Sequence, residues 1–472
     1  MKRIQTKSMK AVSVVLFLCI IVTSLTLVGC VNNDSSLGTA PTISGSQNGT
    51  ETIKGNSATE SSSKEEASQS VVYLSDVSGR IDFFESGHPV PGDIIKEYTW
   101  SGPYRNAAKW QRVTDPDATR ESAVRFLPNP INKIVIDDLK GVEKVEMIIE
   151  MWGGHNGTHS KKVKINGNDW IDIKEPESLG SDPQFYMKYT YPVVSIPMEQ
   201  LVEGENTFEF TCKSNAWGQW AFTGLVFRAY YYKQDGESMV TGNVVLPKDG
   251  RAEGEEVTLA VDLSDSSKVK KVEYIGFYED FDCDSDAIYN EWQFNYRFGN
   301  ISSHIGTSDV APFSVTWDTT WVPDQEKPIL ILARITDVND IITITPAVDG
   351  LTLDRKDRSV KLYKPYDVPK DFGVRANNKK RCKVDVPDLT GMKEARMVLA
   401  TWAGSHHGEF FINDKLITDN IGFSHDISYD EIPIPLELIL EGTNEYMVFS
   451  ATKEHDVEIM WPGIGMKVLY EK

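Results

Sequence analysis

The chain has 472 residues, with 69 acidic against 49 basic side chains and a formal net charge of −20. Non-specific nucleic-acid binding needs clustered Lys and Arg, and an acidic surface is repelled by anionic headgroups, so neither nucleic acid nor a bare lipid surface is an expected partner. The length is sufficient for several domains, and the charge suits neutral or cationic ligands.

The first 29 residues read as an export signal: Lys2, Arg3, Lys7 and Lys10 precede an apolar run from Ala11 to about Leu27. A run of this length could also span a bilayer. Its end decides the reading, because Leu27-Val28-Gly29-Cys30 resembles the lipobox of bacterial lipoproteins. That resemblance implies cleavage before Cys30, a diacylglyceryl thioether and an N-acyl chain on Cys30, and anchoring on the outer, extracytoplasmic face of the cell membrane. Loss of the four basic signal residues takes the formal charge from −20 to −24. Residues 30–71 are rich in Ser, Thr, Asn, Gly and Glu and nearly devoid of apolar side chains. Such a segment cannot bury enough surface to offset its ordering entropy, so it reads as a disordered tether with a reach of roughly 35 Å.

A degenerate repeat dominates the remainder. At one 250-residue offset, Asp138-Leu139-Lys140-Gly141 matches Asp388-Leu389-Thr390-Gly391, Met147 matches Met397, and Trp152 matches Trp402. With small gaps, Ile165-Asn166-Gly167 then matches Ile412-Asn413-Asp414, Ile196-Pro197 matches Ile434-Pro435, and Gly224–Tyr231 matches Gly463–Tyr470. Matches in one order mean duplicated domains. Each copy alternates with period two, as in Met147, Ile149 and Met151 or Phe208 and Phe210, between Gly/Asn/Asp/Pro breaks. That is the strand signature. In Gly204-Glu205-Asn206, the glycine supplies a φ > 0 turn and the asparagine bonds local backbone.

The order of these signals, strand, "ING" turn, "I-P…L-x-x-G-x-N" segment and aromatic strand, resembles the galactose-binding-like jelly roll of carbohydrate-binding modules. It implies an all-β chain in which two β-sandwich jelly rolls, at 72–235 and 361–472, flank a third module at 240–360. In that module Val272-Glu273-Tyr274, Ala311-Pro312-Phe313-Ser314-Val315-Thr316-Trp317-Asp318-Thr319 and the strand from Ile329 resemble bacterial immunoglobulin-like modules. It departs from them by an insert from about Glu279 to Gly306.

The insert carries Asp280, Asp282, Asp284 and Asp286 at alternate positions and Glu291 at the twelfth position from Asp280. Alternating aspartates are one way loops deliver oxygens to Ca²⁺, although Ser285 stands where an EF-hand loop has glycine. The alternatives are a calcium site and a solvated acidic loop.

Loops after the paired tryptophans hold His155, Asn156 and His159 in the first copy and His406 and His407 in the second. The resemblance to sugar-binding jelly rolls implies that such groups, with Trp152, Trp402, Trp217 and Trp220 as stacking platforms, contact carbohydrate. A tryptophan repeated at a strand end also reads as packing, and His155 with His159 has no assured third zinc ligand. Cys212, Cys283 and Cys382 read as small buried thiols. No nucleophile elbow, zincin motif or phosphate loop is present. The leading expectation is therefore a surface-anchored carbohydrate-binding lipoprotein. The alternatives are a scaffold for a protein partner and, third, a glycan-active hydrolase or lyase.

Overall fold

The computed structural model describes residues 71–72, 90–101, 110–174, 187–215, 218–232, 239–286, 288–424, 426–453 and 455–472. The signal, Cys30, most of the tether and Trp217 lie outside the described residues. The chain is all-β; helix among the described residues is the turn Glu121–Val124 and a few 3-10 turns.

The first jelly roll begins with β1 (Ile94–Ser101), β2 (Gln111–Thr114), β3 (Asn132–Ile136) and β4 (Val142–Trp152). It continues through β5 (Thr158–Ile165), β6 (Trp170–Asp172), β7 (Val193–Ile196), β8 (Gly204–Ser214) and β9 (Gln219–Tyr231). All pairs are antiparallel. One sheet runs β1-β9-β4-β7, with β2 along the first half of β9, and the facing sheet runs β3-β8-β5-β6. Without β2 this is the two-sheet, eight-strand jelly-roll order. The period-two residues Met147, Ile149 and Met151 meet Phe208, Phe210 and Cys212 in the shared core.

The middle sandwich packs β10 (Gly242–Val245), β11 (Glu256–Leu263) and β15 (Val315–Asp318) against a second sheet. That sheet holds β12 (Val269–Glu279), β16 (Ile329–Asp337), β17 (Ile341–Ile344) and β18 (Ala347–Leu353). Between β12 and β15, the insert forms the hairpin of β13 (Asn295–Arg297) and β14 (Asn300–Ser302). Ile94, Ile95 and Lys96 of β1 pair with Thr343, Ile342 and Ile341 of β17, so one sheet continues from the first jelly roll into the middle sandwich.

The second jelly roll opens with β19 (Arg358–Tyr363), β20 (Gly373–Val374), β21 (Asn378–Val386), β22 (Met392–Trp402) and β23 (Gly408–Ile412). It closes with β24 (Lys415–Thr418), β25 (Ile427–Pro433), β26 (Gly442–Ser450), β27 (Val457–Ile459) and β28 (Gly465–Glu471). Its order, β19-β28-β22-β25 facing β21-β26-β23-β24, repeats the first strand for strand, and β20 with β27 stands where β2 pairs with β9.

The repeat extends to individual hydrogen bonds. Asn206, in the turn where Gly204 has φ 104°, accepts from Val202 N at 2.9 Å and from Asn166 Nδ2 at 2.7 Å. Asn444, after Gly442 at φ 88°, accepts from Leu440 N and Asn413 Nδ2, both at 2.8 Å. Asn166 and Asn413 each use the remaining oxygen to accept from the backbone of the next strand, Thr207 N at 2.7 Å and Glu445 N at 3.1 Å. A two-residue motif thus ties an "IN" turn to a Gly-x-Asn turn in both copies.

The outer faces of both copies are covered, Val398 and Ala400 of β22 being buried like their counterparts in β4. In β4 the core face repeats as expected, but Ile148 and Glu150 on the other face are also buried. Ile148 packs with Val226 and with Tyr296 from the insert. The insert covers this face, so side chains that period two alone assigns to water are removed from it.

Candidate binding pocket

The insert is held by both jelly rolls. On the first, the fully buried Glu150 carboxylate accepts from Phe298 N at 2.8 Å, Gly299 N at 2.5 Å and Thr223 Oγ1 at 2.8 Å. Desolvation pushes its pKa up, opposed by these donors. On the second, Arg297 Nη2 donates to Asp426 Oδ1 at 2.5 Å and to Ile427 O at 3.2 Å, and Ser285 Oγ donates to Trp461 O at 2.8 Å.

The acidic run divides. Asp280 turns to the second jelly roll, where its Oδ1 lies 2.8 Å from Lys467 Nζ, and Lys467 also meets Glu431 at 2.9 Å. It is thus engaged by a lysine, and of the five carboxylates named as candidate ligands it is set apart from the convergent three. Asp282, Asp284 and Asp286 converge, each offering an oxygen within 4.8 Å of the others. Asp282 is fully buried and accepts from Ser285 N at 2.7 Å. Asp284 Oδ1 is buried and accepts no hydrogen bond. Burial, then the charge of Asp282, drives Asp284 well above the usual carboxylate range. Burial and Asp284 push Asp286 up to about 8. Glu291 is raised by burial and then by the charges of these aspartates, but its carboxylate is outside the convergent group.

This loop walls a cavity of about 260 Å³ between the insert and the second jelly roll. Asp284 and Glu291 line one side with Phe294, Asn295 and His304. Tyr429, Glu431 and Lys467 come from β25 and β28. Tyr429 is 40% exposed, its ring lies 5.9 Å from that of Phe281, and its hydroxyl donates to Glu431 at 2.9 Å. Burial would raise Glu431, but Lys467 outweighs it and holds this carboxyl below its ordinary value. The pocket therefore sets a partly exposed tyrosine beside donors and acceptors of both charges. A larger groove of about 760 Å³ lies between the first jelly roll and the middle sandwich. Its charged lining is internally paired: Glu97 with Arg334 at 2.6 Å, Arg334 with Glu273 at 3.3 Å, and Lys96 with Asp137 at 2.8 Å.

The tryptophan loops are elsewhere. Trp220 is fully buried in the first core and presents no face to a ligand, so its expected sugar contact is corrected to packing. Trp152, 8% exposed, packs in one cluster with Tyr189, Ala221, Ala400, Met460 and the half-buried Trp402. Trp110 meets Trp402 edge-on at 5.7 Å. The repeated tryptophans thus join the two jelly rolls to each other, because each strand end faces the other copy and not water.

His155 stands edge-on to Trp152 at 5.1 Å, and burial with nearby Arg112 lowers its pKa to about 4, leaving it neutral at neutral pH. Asn156 and His159 are exposed, and His159 Nδ1 lies 2.9 Å from Ser160 Oγ. His406 Nε2 lies 2.9 Å from Ser424 Oγ, with its ring 4.9 Å from that of His455, and His407 is exposed. None of these lines the pocket. Among the described residues the one group of three convergent ligand atoms is the aspartate trio, so His155 and His159 form no zinc centre there. Cys212, Cys283 and Cys382 are free thiols.

Sequence reasoning missed Tyr429, Glu431 and Lys467. A signal existed for the lysine: in the ungapped match of Gly224–Tyr231 to Gly463–Tyr470, it aligns with Arg228, a second basic residue inside an apolar strand.

No family model matches the sequence, and no curated protein matches it. Among solved structures, it is similar to a β-porphyranase of glycoside hydrolase family 86 from the human gut bacterium Bacteroides plebeius, at 13% identity and TM-score 0.20, over 50% of this chain and 38% of that one. It is similar to fibronectin(III)-like modules of Clostridium thermocellum CbhA at 16% identity and TM-score 0.16, over 46% of this chain and 97% of that one. It is also similar to a Faecalibacterium prausnitzii β-glucuronidase at 12% identity and TM-score 0.19, over 58% and 51%. The chain spans well under two thirds of the porphyranase and the glucuronidase, and the fold assignment rests on the strand order itself.

Proposed function

We propose that this protein is a lipid-anchored, extracytoplasmic glycan-binding protein whose ligand occupies the pocket between the insert and the second jelly roll. The observation that carries the reading is the half-exposed Tyr429 ring set beside Glu431, Lys467, Asn295 and His304. Sugars present C–H faces that pack on an aromatic ring and hydroxyls that pair with such polar groups. A cavity of about 260 Å³ suits one or two sugar units of a longer chain.

The test is a glycan array and affinity electrophoresis with the full-length chain. Retention by at least one neutral or amino-sugar polysaccharide is expected, and Tyr429→Ala should weaken it at least tenfold, a loss of about 1.4 kcal/mol. Failure to bind any plant, algal or bacterial polysaccharide would sink the reading. The anchor is tested separately. Cys30→Ser should move the protein from the membrane fraction to the soluble one and abolish palmitate labelling, since each buried CH₂ contributes ~0.8 kcal/mol to anchoring. Unchanged labelling would exclude Cys30 as the attachment site.

A further inference from the structure

We infer that Asp282, Asp284 and Asp286 hold a calcium ion that forms part of the pocket wall, so that ligand binding there requires calcium. The second half of this inference rests on the glycan-binding reading of the pocket; the first half does not.

Geometry carries the site. Calcium–oxygen distances are about 2.3–2.6 Å, so two oxygens on one ion stand at most about 5 Å apart. The three aspartates each present an oxygen within 4.8 Å of the other two. A loop that merely solvates its acids would spread them into water. Here Asp282 is fully buried, and Asp284 Oδ1 is buried with no hydrogen bond. That unpartnered oxygen is independent of the convergence and points to a missing donor of positive charge. Lys467, which lines the same cavity, is already committed to Asp280 and Glu431. Among the described residues no ion pair reaches Asp284 or Asp286.

The donor set chooses the ion. All the converging atoms are carboxylate oxygens, the ligands of hard cations. Ca²⁺ accepts six to eight oxygens in flexible geometry, whereas Mg²⁺ demands a near-ideal octahedron and keeps its waters. Three carboxylates leave coordination positions open. Asp284 and Glu291 line the cavity as well as the acidic loop, so those positions face the pocket. Adjacent sugar hydroxyls can fill them in place of water, while the Tyr429 ring packs the apolar face.

Calcium titration calorimetry and glycan retention, both on the full-length chain, test the two halves. One calcium per chain is expected, with Asp284→Asn and Asp286→Asn each weakening it at least tenfold and magnesium competing poorly. Circular dichroism checks that the variants fold. Glycan retention should fall at least tenfold in chelator and return with calcium, and Tyr429→Ala should lose glycan while keeping the ion. No calcium heat with the wild-type chain overturns the site. Calcium binding with equal glycan retention in calcium and chelator overturns the coupling and leaves the glycan reading intact. Calcium binding with no glycan retained under any condition overturns the pocket reading, and the coupling with it.

Discussion

Replacing Glu97 by alanine is expected to cost about 3–5 kcal/mol of stability, the range for breaking a buried ion pair from one side. Glu97 lies where the first jelly roll meets the middle sandwich, and its carboxylate takes Arg228 Nε at 3.0 Å and Arg334 Nη2 at 2.6 Å. Tyr296 of the insert donates to the same carboxylate at 2.6 Å. Arg228 is fully buried and Arg334 is 2% exposed. Without Glu97, Arg228 loses that carboxylate and keeps the neutral hydroxyls of Tyr230 and Tyr296, and Arg334 keeps Tyr296 at 3.1 Å and Glu273 at 3.3 Å. The exposed pair Lys133–Glu205, comparably close at 2.7 Å but more than half in water, is the control: Glu205→Ala should change stability by no more than about 1 kcal/mol.

The same carboxylate sets an acid limit. Burial alone would raise the Glu97 pKa, but Arg334 and Arg228 outweigh it and bring it from 4.5 to about 2. A depressed folded pKa stabilises above the unfolded value and loses that contribution as pH falls through the folded one. Between pH 4.5 and about 2 the wild type should therefore lose about 3 kcal/mol from this group, and Glu97→Gln should lack that component. Urea denaturation at each pH reads both. Stabilities of wild type and Glu97→Ala within 1 kcal/mol at pH 7 would remove the network from the account of how these two modules are joined.

Asn206→Ala and Asn444→Ala should each cost about 2–4 kcal/mol, and by similar amounts, because the two side chains make the same four hydrogen bonds. Asn206 accepts two and donates to Val202 O at 2.7 Å and Gly204 O at 3.1 Å. Asn444 accepts two and donates to Leu440 O at 2.8 Å and Gly442 O at 3.0 Å. Both asparagines are buried, so truncation strands Asn166 or Asn413 and the turn backbone, at about 1–3 kcal/mol per unsatisfied buried group, less what water recovers at the turn. The sites share no partner, so the double variant should equal the sum within about 0.5 kcal/mol. A cost under 1 kcal/mol in either copy would mean that the turn holds without its asparagine.

The duplication was legible because its signals are local or periodic. Gly204 and Asn206 specify a turn through a positive φ and bonds reaching only four residues back, and Phe208, Phe210 and Cys212 declare one face of one strand. Asp282, Asp284 and Asp286 converge within a single loop, so their spacing carried that information too. The fate of Trp152 and Trp402 was not legible. A large ring at a strand end is equally suited to a sugar or to another ring, and the choice depends on which surface lies opposite. Asp280 left its neighbours for Lys467, and Tyr429 reached the pocket from a strand of the other jelly roll.

The sequence by itself determined the strands, the inward faces, the paired turns and the acidic loop, since each follows from side chains acting over a few residues. Tertiary structure alone decided which outward faces remain in water. Burial of Ile148, Glu150 and Arg228, and the pocket itself, arise where surfaces distant along the chain meet. Desolvation there is set by the covering surface and not by the residue being covered.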